Sequence, residues 1–193
     1  MARGHAEALM PMLEDALAEA GIGYGDMDRF VVTVGPGTFT GVRVGVAAVR
    51  GFALATGRPA IGITTLEALA ATAFLRERVP LLVAMDARRD EVYAQTFDER
   101  GAPTSEPMVV GVEALLARVP ADVTAVFGSA AEMVAKAAEG TGRILRPLGT
   151  DAAPDPLALA RLGAARAPEG PVRPLYLRPP DARPQAQAAI DRR

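Results

Sequence analysis

VVTVGPGTFTGVRVGVAAVRGFALATG, Val31–Gly57, is an apolar run that stops at a glycine–proline–glycine turn and restarts as a longer apolar run. Phe30, Val31, Val32 and Val34 are aromatic or β-branched without interruption, which predicts a strand buried on both faces of a sheet. Gly35-Pro36-Gly37 ends it, because Pro36 fixes its own φ and pushes Gly35 out of the helical region, while glycine reaches φ values closed to other residues. Thr38 or Thr40 then caps a helix over residues 40–56. On that helix Gly41, Gly45, Ala48, Phe52 and Ala55 recur at helical spacing and form one smooth side. Each mid-helix glycine costs about 1 kcal/mol relative to alanine, so Gly41, Gly45 and Gly51 predict close approach by another backbone. Val42, Val46, Val49 and Ala53 make a second apolar side, and Arg43 and Arg50 share a third. Two adjoining apolar sides place such a helix deep in the domain or against a partner.

Upstream, residues 5–20 predict a helix with Leu9, Met12, Leu13, Ala16, Leu17 and Ala20 on an apolar stripe that Met10 widens, with Pro11 kinking it near its first turns. Downstream, residues 59–63 predict a strand. A helix from Thr64 to about Arg78 follows, opened by a Thr64–Glu67 capping box. The alternation predicts parallel pairing with right-handed crossovers. The pattern then changes. Residues 81–85 and 92–97 read as an antiparallel pair joined by the tight connection Asp86–Asp90, with a third strand over 108–110. Next come a short helix over 111–118, a strand over 123–127, a helix over 130–139, an edge strand over 143–145, a helix over 154–165 and an extended piece over 174–178. A boundary near Pro80 divides the chain into subdomains 1–79 and 80–178, and the Pro- and Arg-rich residues 179–193 predict a disordered tail.

Half of the 193 residues are hydrophobic, enough to bury a core as one domain or two small ones. A net charge of -2 argues against a chain whose main task is neutralising nucleic-acid phosphates. Zero cysteines exclude disulfides and thiolate metal sites and fit a reducing compartment. The apolar runs are broken short of the roughly 20 residues of a membrane span, so the expectation is a soluble cytoplasmic protein.

The Gly35–Gly41 loop presents backbone amides to which an anion could bind. It has no P-loop lysine and Phe39 occupies it, which favours a structural turn. Arg43 suits a nucleotide contact or a partner-carboxylate contact, and equally a solvated or structural role. His5 is the only histidine, and Leu9 stands where a second ligand four residues on would be, so no metal site is expected. Asp86, at a strand end, suits either a general base or magnesium ligand, or the routine turn role that Asp often plays. The turn reading is preferred, and Arg88, Arg89, Asp90 and Glu91 read as a solvated turn. Arginines 161, 166, 173, 178, 183, 192 and 193 make the C-terminal part basic and suit either a modest contact with RNA phosphates or, the preferred reading, a solvated flexible tail, since no aromatic platform accompanies them. No catalytic residues are assigned.

GPGTFTGVRVGVAAVRGFALATGRPAIGITTLEALA, Gly35–Ala70, followed by MDARRDEVYAQTF, Met85–Phe97, and closed by PLYLR, Pro174–Arg178, resembles the TsaB family. That family is the dimerisation subunit of the bacterial machinery making threonylcarbamoyladenosine next to the tRNA anticodon. The resemblance implies an actin-like ATPase and sugar-kinase (ribonuclease H-like) α/β fold, with mixed sheets and flanking helices. It also implies a non-catalytic scaffold for the catalytic paralogue TsaD, joined by the ATPase TsaE, with the carbamoyl donor coming from a TsaC-type enzyme and tRNA met only through the complex.

The partner helices would be residues 5–20 and 40–56. The implied interface is Leu9, Met12, Leu13, Ala16 and Leu17 with Gly41, Val42, Gly45, Val46, Ala48, Val49 and Phe52. Gly35, Pro36, Gly37, Thr38, Phe39, Thr40 and Arg43 form the structural loop beside it. No cofactor is required, though the resemblance leaves room for weak adenine-nucleotide binding and for a homodimer through the same helices. A sugar-kinase-type phosphotransferase or nucleotide-binding protein is the rival reading; a peptidase would lack its metal pair or nucleophile set. The family's opening strands are absent ahead of His5, so an open sheet edge and self-association are expected.

Overall fold

The computed structural model describes residues 5–178, the side chains of His5 and Ala6 excepted. The expected tail over 179–193 lies outside the described residues. Helix α1 (His5–Ala20) runs through Pro11 and leads by a single 3-10 turn (Tyr24–Asp26) into β1 (Phe30–Thr33). Then come α2 (Phe39–Thr56), β2 (Ala60–Ile63) and α3 (Thr65–Ala73). Strands β3 (Leu81–Asp86), β4 (Glu91–Phe97) and β5 (Met108–Gly111) precede α4 (Val112–Leu116). Strand β6 (Ala125–Phe127), α5 (Ala131–Glu139), β7 (Arg146–Gly149) and α6 (Pro156–Ala165) complete the order.

The strands form two sheets. β1 and β2 pair in parallel, Val31 opposite Ile61, as the strand–helix–strand alternation requires. The larger sheet has the order β5-β4-β3-β6-β7, antiparallel on one side of β3 and parallel on the other. Its strands β3 and β6 are buried on both faces, and their apolar runs divide between two cores. Leu82, Ala84 and Val126 pack beneath α4 and α5, while Leu81, Val83 and Phe127 pack with Leu66 and Leu69 of α3. α3 also places Ala68 against Ile61 and Ile63, so it is wedged between the two sheets.

Several boundaries depart from the sequence reading. β1 is half-buried along its length rather than buried, because among the described residues β2 is its one strand neighbour. α3 stops at Ala73, not near Arg78: Phe74 caps it and the next residues close as tight turns. That swings Arg76 across to the carbonyl of Leu148, at 2.7 Å, and to Asp151. The edge strand is Arg146–Gly149 and not 143–145, because Arg143 is spent on the carbonyls that follow α4, those of Val119, Pro120 and Val123. β6 begins at Ala125 and α6 at Pro156, where the Asp155 carboxylate accepts the amide of Ala158.

Chain order and spatial order diverge at the end. α6 returns to the small sheet, with Leu159 and Leu162 packed on Ile61 and Ile63. Residues 171–178 then run extended as a strap across the molecule. Val172 joins Val34 and Val46, Leu175 N–H donates to Val34 O, Leu177 packs with the larger sheet, and Arg178 donates to Ala87 O and the Glu91 carboxylate.

Candidate partner interface

The Gly35–Pro36–Gly37 turn is closed from two sides. Gly35 has φ 114, and a Cβ there would stand 2.7 Å from Leu175 O, so only glycine fits. Its carbonyl accepts the Thr65 amide that opens α3. Thr38 caps α2 by accepting the Gly41 amide at 3.2 Å. Phe39 and Thr40 are exposed beyond the buried Pro36. Arg43 lies over the Phe39 ring, 3.5 Å from its centroid, and donates through Nε to Tyr176 Oη at 2.8 Å. The loop is thus a sewn turn ending in a stack of Phe39, Arg43 and Tyr176, and Arg43 is engaged within the chain.

Asp86 plays the turn role. Its Oδ1 accepts the Arg88 amide at 2.7 Å, and the side chain is exposed. Arg88, Arg89 and Asp90 follow in the left-handed region at φ 62, 57 and 59, a conformation that L-residues adopt only where surroundings impose it. Here Arg178 holds the turn from outside, at Ala87 O and Glu91. Among the described residues no group of three or more metal-ligating side chains converges.

α2 presents two different sides. Val46 and Val49 are buried, Val42 packs with Val46, Val34 and Val172, and a Cβ on Gly45 would stand 3.1 Å from Val32 Cγ2. Phe52 stacks on Tyr24 with ring centroids 4.8 Å apart and meets the Phe30 ring at a tilt, 5.4 Å between centroids. These residues of the implied interface therefore face the chain's own sheet, and Gly45 serves close approach to β1. Gly41 is exposed, where a Cβ would press 2.7 Å from Thr38 Oγ1, and Ala48 is half-buried.

On α1, Leu9, Leu13 and Leu17 are half-buried on one stripe while Met12 and Ala16 are exposed. The outward surface is left with Met10, with Met12 at 67% exposure and with Leu54 at 88%. The sequence reading missed Leu54. Arg43, Ala47, Arg50 and Leu54 recur at helical spacing, so the arginine side was the outward one and Leu54 continues it. Among the described residues α2 is also the one helix whose length and composition would suit a membrane span. It instead lies along β1 and β2 with its other side open.

Two sheets wrapped by helices, with α3 wedged between them, define an α/β protein of the actin-like ATPase class. The family model "TsaD: tRNA N6-adenosine threonylcarbamoyltransferase" matches residues 1–138. The chain is 37% identical over 186 residues to an uncharacterized protein of Mycobacterium tuberculosis strain ATCC 25618 / H37Rv, spanning 96% of this chain and 80% of that one. It is 40% identical over 92 residues to the "tRNA threonylcarbamoyladenosine biosynthesis protein TsaB" of Haemophilus influenzae strain ATCC 51907 / DSM 11121 / KW20 / Rd, a match spanning 47% of this chain and 39% of the relative. The solved structure of YeaZ from Pseudomonas aeruginosa superposes with a TM-score of 0.72 at 32% identity, over 91% of this chain and 85% of that one. The chain belongs to the TsaB family.

Proposed function

We propose that this chain acts in threonylcarbamoyladenosine modification of tRNA as a non-catalytic scaffold. It would bind a TsaD-type catalytic paralogue through the outward side of α1 and α2. The observation carrying this reading is the apolar surface those helices leave open: α2 spans 18 residues, of which two are buried, and Leu54, Met12 and Met10 stand out from it. Exposed large apolar side chains on adjoining helices mark an association surface. The names carried by the relatives set the pathway. In this reading a TsaE-type ATPase joins the pair, tRNA is met through the complex, the work is cytoplasmic and a homodimer uses the same helices when TsaD is absent.

The test is a binding titration against the purified TsaD-type protein of the same source, with Leu54→Asp and Met12→Asp variants alongside. The wild-type chain should bind, and each variant should weaken binding by about tenfold or more while melting as the wild type does. No association, or variants that bind undiminished, would overturn the reading.

A further inference from the structure

Between α3, α6 and the turn over residues 98–103 lies a cleft of about 300 Å3 that contains no residue of α1 or α2. Its floor is apolar, formed by Ala70, Phe74, Leu75 and Leu162. Around that floor stand four guanidinium groups, Arg78, Arg100, Arg161 and Arg166, and a single carboxylate, Glu67. Glu67 is already held by Arg166 at 2.6 Å. Arg78 leans on the Phe74 ring, 5.6 Å from its centroid. The Arg100 and Arg161 side chains, both exposed, have no hydrogen bond or ion pair among the described residues. The nearby acids are Asp98, whose carboxylate is occupied by the backbone amides of Arg100 and Ala102 in the same turn, Glu99, exposed beside Arg100, and Glu169, whose charge acts on Arg166. Three cations are left without a carboxylate at one concave site, in a chain whose net charge is -2.

A Cβ on Gly101 would stand 3.4 Å from the Phe74 ring. The strand register also puts this turn at the opposite end of the β3–β4 hairpin from Asp86, since Leu81 pairs with Phe97 and Asp86 with Val92. Guanidinium forks match phosphate oxygens. An apolar floor of aromatic and aliphatic groups suits a flat ring, and the volume is at the small end of ligand sites.

We propose that this cleft binds a phosphorylated small molecule bearing a flat ring, a nucleoside di- or triphosphate in chemical class. Its phosphates lie on Arg78, Arg100 and Arg161, and its ring rests over Phe74 and Leu75. Net charge conceals such a site, because the arginines come from three separate elements.

Calorimetric titration of the chain with ADP, pyrophosphate and adenosine tests it, with Arg100→Gln and Arg161→Gln as variants and Arg50→Gln, on the outer side of α2, as the control. ADP should bind more tightly than either fragment. Each cleft variant should weaken ADP by about tenfold with an unchanged melting temperature, the control should not, and proton contacts from ADP to the Phe74 ring should appear by NMR. The proposal falls if ADP and pyrophosphate fail to bind by about 1 mM, or if adenosine matches ADP. It falls equally if pyrophosphate matches ADP, or if ADP binding survives both cleft variants or lacks Phe74 contacts.

Discussion

Gly163 stands where any side chain would collide with Val31: a Cβ there would lie 2.2 Å from Val31 Cγ2 and 2.9 Å from its Cβ. The missing methyl group lets α6 seat directly on β1. Gly163→Ala gains helix propensity but forces the two elements apart, so the fold should lose about 1–3 kcal/mol in chemical denaturation. Arg29 guards the same junction, its Nη1 donating to the carbonyls of Gly163 and Ala164 at 2.9 Å and of Arg166 at 3.1 Å. Arg166 in turn grips Glu67. Burial pushes the Glu67 carboxyl up, but its bonds to Arg166 and Thr64 outweigh this and hold it below the usual carboxylate value, while the Arg166 guanidinium is raised. A depressed carboxylate contributes stability that is present above its unfolded pKa and lost as pH falls through the folded one. Glu67→Gln should therefore cost about 1–2 kcal/mol at neutral pH and flatten the acid side of a stability-versus-pH curve measured below about pH 5. The Thr64–Glu67 capping box was legible because both halves are local. Arg29 and Arg166 were not, since their partners lie 99 to 137 residues away in the chain, where spacing carries no signal.

At the level of elements, α2 shows how a helix apolar on two sides divides its duties. Val49→Ala should cost about 1–2 kcal/mol of stability in thermal or denaturant unfolding, because Val49 is buried on the sheet side. Leu54→Ala, on the open side, should stay within about 0.5 kcal/mol. The width of the apolar surface was readable from residue types. Which half belongs to the chain itself was not, because glycine spacing says that something comes close without saying what. Gly45 meets β1, and the arginine side faces out. The strand–turn–helix of residues 30–56 and the β3–β4 pair were legible from periodicity and turn residues. The β7 boundary was not, because Arg143 answers to the carbonyls after α4 and not to its own neighbours.

For the whole molecule, the strap over residues 171–178 is what ties the two sheets from outside. Leu175 is bonded to the end of β1 and Arg178 to the β3–β4 turn. Arg178→Ala should release the left-handed Arg88–Asp90 turn, lower stability by about 1–3 kcal/mol and raise amide exchange at Ala87 and Glu91, whereas a variant with unchanged exchange there would show the turn to be self-supporting. The family was readable from motifs; the return of α6 to the first sheet was not, because nothing in a helix's own pattern names the strand it will cover. That return also sets a timetable for synthesis. β1, α2 and β2 leave the ribosome early and α3 brings Ala68 to Ile61 soon after, yet Leu159, Leu162 and Gly163 of α6 reach Val31 and Ile61 only about a hundred residues later. At about 5–20 residues per second, the newborn first sheet waits roughly 5–20 s with part of one apolar face bare, an interval in which a chaperone, or a second nascent chain, reaches that face before α6 can.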